Sequence, residues 1–364
     1  MGQFNHHMLN LARDARGLTQ LELATLLRVG QGTLSKYETG IGEPPDECFV
    51  SAISNVLGYQ ESFFFEPGRP YGFPPFHYRK RKKLSGKALG RIVAEMNIRR
   101  IHVQKMIVSY EMRPCTLIPE IDRSEYQGST KRPLNIEDVA RTIREMWMLP
   151  RGPIPSMVEL IEFAGGIVVP CDFGTDHLDA MSQRIDGMPV LFFINKHVPA
   201  DRLRHTLAHE LGHMILHTIF PIDDDAMEDE ADAFAGAFLV PADEVTPQLR
   251  RFDLRQLANL KSYWKVSMAA LAVRADRLNL ITPYQKKMFW MEMSRLGYRK
   301  REPNEPPPES PRLLKEMVRF HRDKLGYSRS EMAVLFGLMI AEFDQMYGAK
   351  DGEPERRGHL RLVK

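Results

Sequence analysis

The sequence predicts a mainly helical protein whose middle domain also contains a small β-sheet. Helical periodicity dominates the middle of the chain, short β-rich runs interrupt it at 166–170 and 190–195, and two proline-rich stretches mark off flanking helical regions. From these features we expect the following organisation: a helix-turn-helix bundle over 1–66, a basic linker over 67–84, an α+β domain over 85–302, a proline-rich linker over 303–311, a second helical domain over 312–348 and a polar tail over 349–364.

Composition narrows the class of protein further. The 364 residues are 43% apolar and 27% charged, which excludes a disordered or fibrous chain. No apolar run approaches the roughly 18 residues of a membrane helix, and Met1 to Asn10 lacks the pattern of a secretory signal, so we expect a cytoplasmic protein with no membrane partner. Cys48, Cys115 and Cys171 are far apart and form no CxxC motif. Any metal is therefore expected on histidine and carboxylate ligands.

The net charge of +3 is unevenly distributed along the chain. Ten basic residues and one acid lie between Arg79 and Lys105, which predicts a surface facing a polyanion. Seven acids and no base lie between Asp223 and Asp232, which predicts a cation site.

A two-helix pattern with a glycine-containing turn follows the first helical stretch. Thr19 precedes Glu22 by three residues at the start of an apolar-periodic run, which is the capping-box signature of a helix start. That helix should run to about Arg28, and a second should run from Gln31 to Glu38. Two short helices joined in this way form the unit that places its second helix in the major groove of DNA.

The segment TQLELATLLRVGQGTLSKYETGIGEPP resembles the helix-turn-helix of the Xre and lambda-repressor-like families, over about residues 5 to 65. The resemblance implies binding to operator DNA, and we expect a homodimer on a palindromic site. The implied contacts are Gln20 to phosphate, and Gln31, Thr33, Ser35 and Lys36 to base edges or backbone.

Charge leaves an alternative open for this domain. Residues 1–66 contain four bases and eight acids, whereas phosphate contacts dominate the affinity for DNA. A helical interaction module with the same fold and no DNA affinity is the competing interpretation. DNA binding would need added attraction from the basic stretch after the linker or from dimerisation.

The clearest chemical motif is His209-Glu210-Leu211-Gly212-His213. A helix places residues four apart on one face, so His209 and His213 can bind one zinc ion while Glu210 reaches the water that attacks the substrate. Catalytic zinc takes three protein ligands, so a third ligand is expected downstream.

The acidic segment after the motif supplies the candidates. Glu228 and Asp232 are four apart and share a helix face, so Glu228 can ligate while Asp232 supports a ligating histidine. Glu230 lies about 200° round the helix from Glu228 and cannot face the same ion. This spacing looks like that of the gluzincins, a thermolysin-like class of zincin.

HTLAHELGHMILH followed by EDEADAFAGAFLVP resembles the ImmA/IrrE family of zinc metallopeptidases, over about residues 140 to 290 and including Arg274. The resemblance implies Zn²⁺ ligands His209, His213 and Glu228 with Glu210 as general base. Members typically cut a partner repressor of the Xre type in response to DNA damage or to control a mobile element. We therefore expect a repressor-type protein as substrate.

Other features of the site remain open. His205 and His217 drift progressively off the metal face of an ideal helix, which favours surface or supporting roles. Substrate is expected to extend along a strand edge at Leu178 to Asp186. Tyr263, His205 and His217 are the candidates for stabilising the oxyanion, and the sequence does not choose among them.

Three other functions compete with a regulator that binds DNA and cleaves peptides. The zinc could be a folding staple, although a structural site has no need of Glu210. The chain could be a transcription factor whose zinc domain senses or scaffolds without cutting. It could also be an antitoxin-like interaction module with no DNA partner.

The C-terminal region repeats the N-terminal helix-turn-helix at an offset of 309 residues. The scaffold pairs are Gly17 with Gly326, Thr19 with Ser328, Glu22 with Glu331 and Ala24 with Ala333. At the reading positions, Glu342 replaces Thr33 and Asp344 replaces Ser35. Because carboxylates are repelled by phosphate, we expect a degenerate unit that packs on the peptidase domain or a second subunit and binds no DNA.

Overall fold

A computed structural model describes residues 2–72, 84–122, 134–219 and 222–348. These ranges contain sixteen α-helices and a three-stranded sheet, so the predicted class, mainly α with an α+β core, is confirmed. The helices are α1 (His6–Ala15), α2 (Gln20–Leu27), α3 (Gln31–Thr39), α4 (Glu47–Leu57), α5 (Gly86–Ile107), α6 (Ile136–Met146), α7 (Met157–Phe163), α8 (Ala200–Leu216), α9 (Asp224–Leu239), α10 (Ala242–Leu249), α11 (Leu254–Trp264), α12 (Met268–Arg277), α13 (Pro283–Arg295), α14 (Leu313–Asp323), α15 (Arg329–Phe336) and α16 (Ile340–Tyr347). The strands are β1 (Ile167–Cys171), β2 (Ala180–Gln183) and β3 (Leu191–Asn195).

The N-terminal unit consists of α1 to α4 and a short 3-10 helix, Glu61–Phe65. The Thr19 side chain accepts from the Glu22 backbone and the Glu22 side chain accepts from the Thr19 backbone, which forms the predicted capping box of α2. Buried Glu38 on α3 pairs with Arg13 on α1 at 2.6 Å. This ion pair holds the second helix of the helix-turn-helix against the rest of the unit.

The sheet has the strand order β1-β3-β2, with β1 parallel and β2 antiparallel to β3. Successive side chains of a strand point to opposite faces, so the sheet contributes to two cores. Val168, Ala180 and Phe192 face the first core, together with α6 to α13. Neighbouring side chains face a second core that contains α1 to α5 and α14 to α16. The N-terminal and C-terminal units, together with α5, therefore pack on the face of the sheet opposite to the one that α6 to α13 cover.

The C-terminal unit repeats the geometry of the first. Adding 309 to the bounds of α2 gives 329–336, which are the bounds of α15. Ser328 and Glu331, which the repeat matches to Thr19 and Glu22, also form a capping box. Gly17 and Gly326, equivalent in the repeat, both have positive φ, +63° and +77°, which glycine adopts without strain.

The C-terminal unit contacts the N-terminal unit directly. The Gln60 backbone N–H donates to the Gly337 carbonyl at 2.9 Å, and the Arg16 guanidinium binds both carboxylate oxygens of Glu342 at 2.8 and 2.6 Å. α5 supports the same contact, because the Lys105 ammonium donates to the Leu335 carbonyl at 2.7 Å. The C-terminal unit thus contacts both α5 and the N-terminal unit.

The polyanion-facing surface predicted for the basic stretch is wrong for the second half of α5, whereas the side chain of Lys87, near the start of this helix, is 57% exposed. Arg99 and Arg100 are each only 7% exposed, and Arg100 stacks on the Tyr71 ring at 4.6 Å. Lys105 forms an ion pair with Glu66. These three cations bind internal groups because the second half of α5 packs in the core shared with the N-terminal and C-terminal units. Residues 79–83 lie outside the described residues.

The proline-rich segment 303–311 connects α13 to α14 and is held against the middle domain. Glu309 pairs with the buried guanidinium of Arg204 and accepts from the Val158 backbone at 2.8 Å. Glu305 accepts from the Ala200 backbone at 3.2 Å, at the first residue of α8. The segment predicted as a linker thus fixes the start of the helix that carries the HExxH motif.

Candidate metal centre

Two packed helices, α8 and α9, build the site. α8 carries His209, Glu210 and His213, and α9 carries Glu228. A Cβ at Gly212 would lie 3.1 Å from the Phe234 ring and 3.3 Å from the Ala231 backbone. A glycine in the middle of the motif therefore lets α9 approach α8 closely enough for Glu228 to reach the histidines.

Three side chains converge at the predicted metal position. The Nε2 atoms of His209 and His213 are 3.0 Å apart, and the Glu228 carboxylate lies 3.7 Å from the first and 3.5 Å from the second. Among the described residues, these three are the group of His, Cys, Asp and Glu side chains close enough to share one ion. The structure thus brings together the three predicted ligands, from two helices.

The donor set suits zinc. Ligands about 2.0–2.1 Å from a tetrahedral zinc ion lie roughly 3.3 Å from one another, close to the separations found here. Two imidazoles and one carboxylate, with a fourth position for water, form the catalytic His₂Glu type. His209, His213 and Glu228 are the residues that would hold the ion.

Asp232 lies where it was predicted to support a ligand. Its Oδ1 is 2.7 Å from the Nδ1 of His209, on the far side of the ring from the metal-facing nitrogen. Burial opposes ionisation of the Asp232 carboxyl, but its hydrogen bond with His209 lowers the pKa to about 2. An ionised Asp232 holds the His209 ring so that Nε2 faces His213 and Glu228.

Glu210 is fully buried beside the ligands. The Ser182 hydroxyl on β2 donates to its Oε2 at 2.8 Å, and Ser182 is itself fully buried. This bond orients the carboxylate predicted to act as base. Ser182 was not predicted as a site residue, although it lies in the predicted substrate strand. Neighbouring residues of a strand point to opposite faces, so Ser182 and Met181 face different sides of the sheet, and Ser182 faces α8.

The flanking histidines occupy different environments. His217 is fully buried and lies 3.0 Å from His213, nitrogen to nitrogen. His205 is half-buried, and burial lowers its pKa to about 4. Tyr263 is 51% exposed on α11, with its hydroxyl close to Gly152. No contact selects one of the three for the oxyanion, and that role stays a prediction.

β2 forms part of the segment Leu178 to Asp186, which was predicted to bind substrate. It pairs only with β3 among the described strands, so it is an edge of the sheet. It also packs on α8, the helix that carries the HExxH motif, so the strand edge lies next to that motif. An extended peptide could therefore add to the sheet beside Glu210.

The predicted DNA-contacting residues lie together on α2 and α3. Gln31, Thr33 and Lys36 are exposed, and Gln20 and Ser35 are half-buried. The Gln31 amide donates to the Gln20 side chain at 3.3 Å, and the Gln20 amide donates to buried Glu38 at 3.0 Å. The exposed face of α3 is thereby held in one orientation.

The fold and the donor set define a metallopeptidase-type domain joined to helix-turn-helix units. Residues 165–276 match the model of a peptidase family described as the IrrE N-terminal-like domain. Residues 9–64 match the model of a helix-turn-helix family. The fused architecture suggested by the sequence is confirmed by these two matches. No curated protein matches the chain. No described helix combines the length and the apolar composition that crossing a membrane requires.

Proposed function

We propose that the chain is a DNA-binding transcriptional regulator with zinc-dependent endopeptidase activity. It cleaves a repressor-type partner protein in a stress response or in the control of a mobile element, and it binds operator DNA as a homodimer. The observation that carries the proposal is the convergence of His209, His213 and Glu228 beside Glu210, in a chain that also has an exposed helix-turn-helix face.

The chain's own groups suggest how a peptide would be cut. Zinc, when bound, would polarise the scissile carbonyl and lower the pKa of a water molecule. Glu210 would accept the proton of the attacking water and pass it to the leaving amine. Ser182 keeps the Glu210 carboxylate in place through the bond at 2.8 Å. The β2 edge would hold the substrate backbone extended.

The test uses metal analysis together with incubation of the full chain with a neighbouring-gene repressor. We expect about one zinc per chain in the wild type. Glu210→Gln should keep the metal and the fold but abolish cleavage, whereas Glu228→Gln should markedly reduce metal occupancy. If Glu228→Gln left metal occupancy unchanged while Glu230→Gln reduced it markedly, the assignment of the third ligand would be wrong.

The complete burial of the Glu210 side chain favours one alternative, a transcription factor whose zinc domain senses or scaffolds without cutting. A sensor tolerates the loss of this carboxylate, and a peptidase does not. Two results together would support the sensor. The Glu210→Gln variant would regulate its operator normally, and the wild type would cleave no partner under any stress signal.

A further inference from the structure

We propose that His217 and Glu230 are positioning residues that fix the metal ligand His213. This inference rests on the proposed zinc site and adds a second supporting carboxylate to it. Glu230 orients His217, and His217 in turn orients His213.

The geometry is that of a hydrogen-bonded chain leading away from the ion. The Nδ1 of His213 is 3.0 Å from the Nδ1 of His217, and the Nε2 of His217 is 3.1 Å from the Oε2 of Glu230. The His213 and His217 side chains are both fully buried, and that of Glu230 is 25% exposed. This row of hydrogen bonds is thus shielded from solvent at His213 and is accessible to solvent only at the Glu230 carboxylate.

The end of α8 places His217 beside His213. His217 is the C-cap residue, and its backbone N–H still donates to the His213 carbonyl at 3.0 Å, so it lies one turn beyond His213. Residues four apart on a helix are neighbours, and the drift of about 40° per such step takes His217 off the face shared by His209 and His213 while leaving it within reach of the His213 ring. The centre of the His217 ring lies 5.1 Å from the centre of the His213 ring.

Proton positions along the chain follow from ligation. To bind zinc through Nε2, a neutral His213 must carry its proton on Nδ1. That proton is donated to the Nδ1 of His217, which must accept it. His217 then carries its own proton on Nε2 and donates it to Glu230. The opposite arrangement would protonate His213 at Nε2 and block the metal.

Each ligating histidine thereby has its own carboxylate. Asp232 contacts His209 directly, and Glu230 contacts His213 through His217. A carboxylate at the end of such a bond fixes the ring and raises the basicity of the metal-facing nitrogen. Glu230, which points away from the ion, therefore acts on zinc affinity through its neighbour.

The experiment measures the zinc affinity of the full chain by competition with a chromophoric chelator. Loss of an outer partner typically weakens metal binding about tenfold to hundredfold, and we expect this for His217→Ala. His217→Asn should recover part of the loss, because its amide oxygen can accept from His213. Glu230→Gln should weaken binding less than His217→Ala, since the amide still accepts a hydrogen bond but carries no charge. Asp229→Asn, at an exposed neighbouring acid, is the matched control and should bind as the wild type does.

A second readout follows the ligand field in the cobalt-loaded chain. The visible absorption bands should shift in His217→Ala and Glu230→Gln and stay unchanged in Asp229→Asn. A purely structural role for His217 would alter thermal stability without moving these bands.

The outcomes separate this inference from the proposed function. A wild-type chain that binds no zinc, or that binds it equally well after His209→Ala, overturns the metal site itself. Normal zinc binding by the wild type together with unchanged affinity in a folded His217→Ala chain overturns the positioning role. If His217→Ala does not fold, Glu230→Gln decides, and wild-type affinity and bands in that variant overturn the inference.

Discussion

Replacing Lys261 with methionine should lower the free energy of unfolding by about 3–5 kcal/mol, because it removes the cation from a buried ion network. Lys261 is fully buried on α11, and its ammonium lies 2.9 Å from Glu302 and also binds Asp201. The side chains of the two acids are only 8% and 10% exposed, so water cannot replace the lost charge. Asp201 lies in the first turn of α8, so the network also anchors the helix that carries the HExxH motif.

An exposed ion pair provides the matched control for Lys261. Lys286 pairs with Asp276 at 2.5 Å, with side chains that are 47% and 37% exposed. Lys286→Met should therefore cost about 0–1 kcal/mol. Guanidinium denaturation followed by circular dichroism compares both variants with the wild type. A Lys261→Met chain that lost no more stability than Lys286→Met would refute the assignment of a buried, charged network.

Three further predictions concern the base, the DNA face and the docking of the C-terminal unit. Ser182→Ala should lower kcat about tenfold with little change in KM, because it removes a hydrogen bond to the charged base; steady-state kinetics on a cleaved repressor peptide measures it. Gln31→Ala should change operator preference, whereas Lys36→Ala should weaken all sites alike and flatten the salt dependence; binding unaffected by either would move the DNA contact elsewhere. Glu162, at the end of α7, accepts from the backbone N–H groups of Arg312 and Leu313 at the start of α14. Burial raises the pKa of Glu162 to about 7, above its value in the unfolded chain, so the wild type should lose stability as pH rises from about 5 to 8. Glu162→Gln should lack this slope in thermal melts, and an identical slope would exclude Glu162 as its source.

Local signals in the sequence predicted local structure well. The capping box at Thr19 specified the start of α2, and the same signal at Ser328 specified α15 through the repeat. The spacing of four between His209 and His213 predicted one helix face. Each of these features depends on residues within one or two turns of one another, so the sequence alone contains the required geometry.

Features that depend on distant contacts were not predictable in the same way. Ser182 is 28 residues from Glu210, and only the packing of β2 on α8 brings them together. The contact of His217 with Glu230 joins residues 13 apart and depends on the packing of α9 on α8. Arg99 lies 5.3 Å from the centre of the Tyr347 ring in the C-terminal unit, more than 200 residues away, so its burial could not be predicted from the local run of basic residues.

The same distant packing explains the acid at the reading position of the C-terminal unit. Glu342 stands where the N-terminal unit has Thr33, and it binds the Arg16 guanidinium of that unit through two hydrogen bonds. A carboxylate that would be repelled by phosphate is favourable here, because it faces a cation whose aromatic neighbour, Tyr59, lies 4.5 Å below it. At the position equivalent to Thr33, the C-terminal unit thus carries a residue that binds the N-terminal unit. α3 keeps an exposed face, whereas the equivalent helix α16 supplies a contact that holds the two units together.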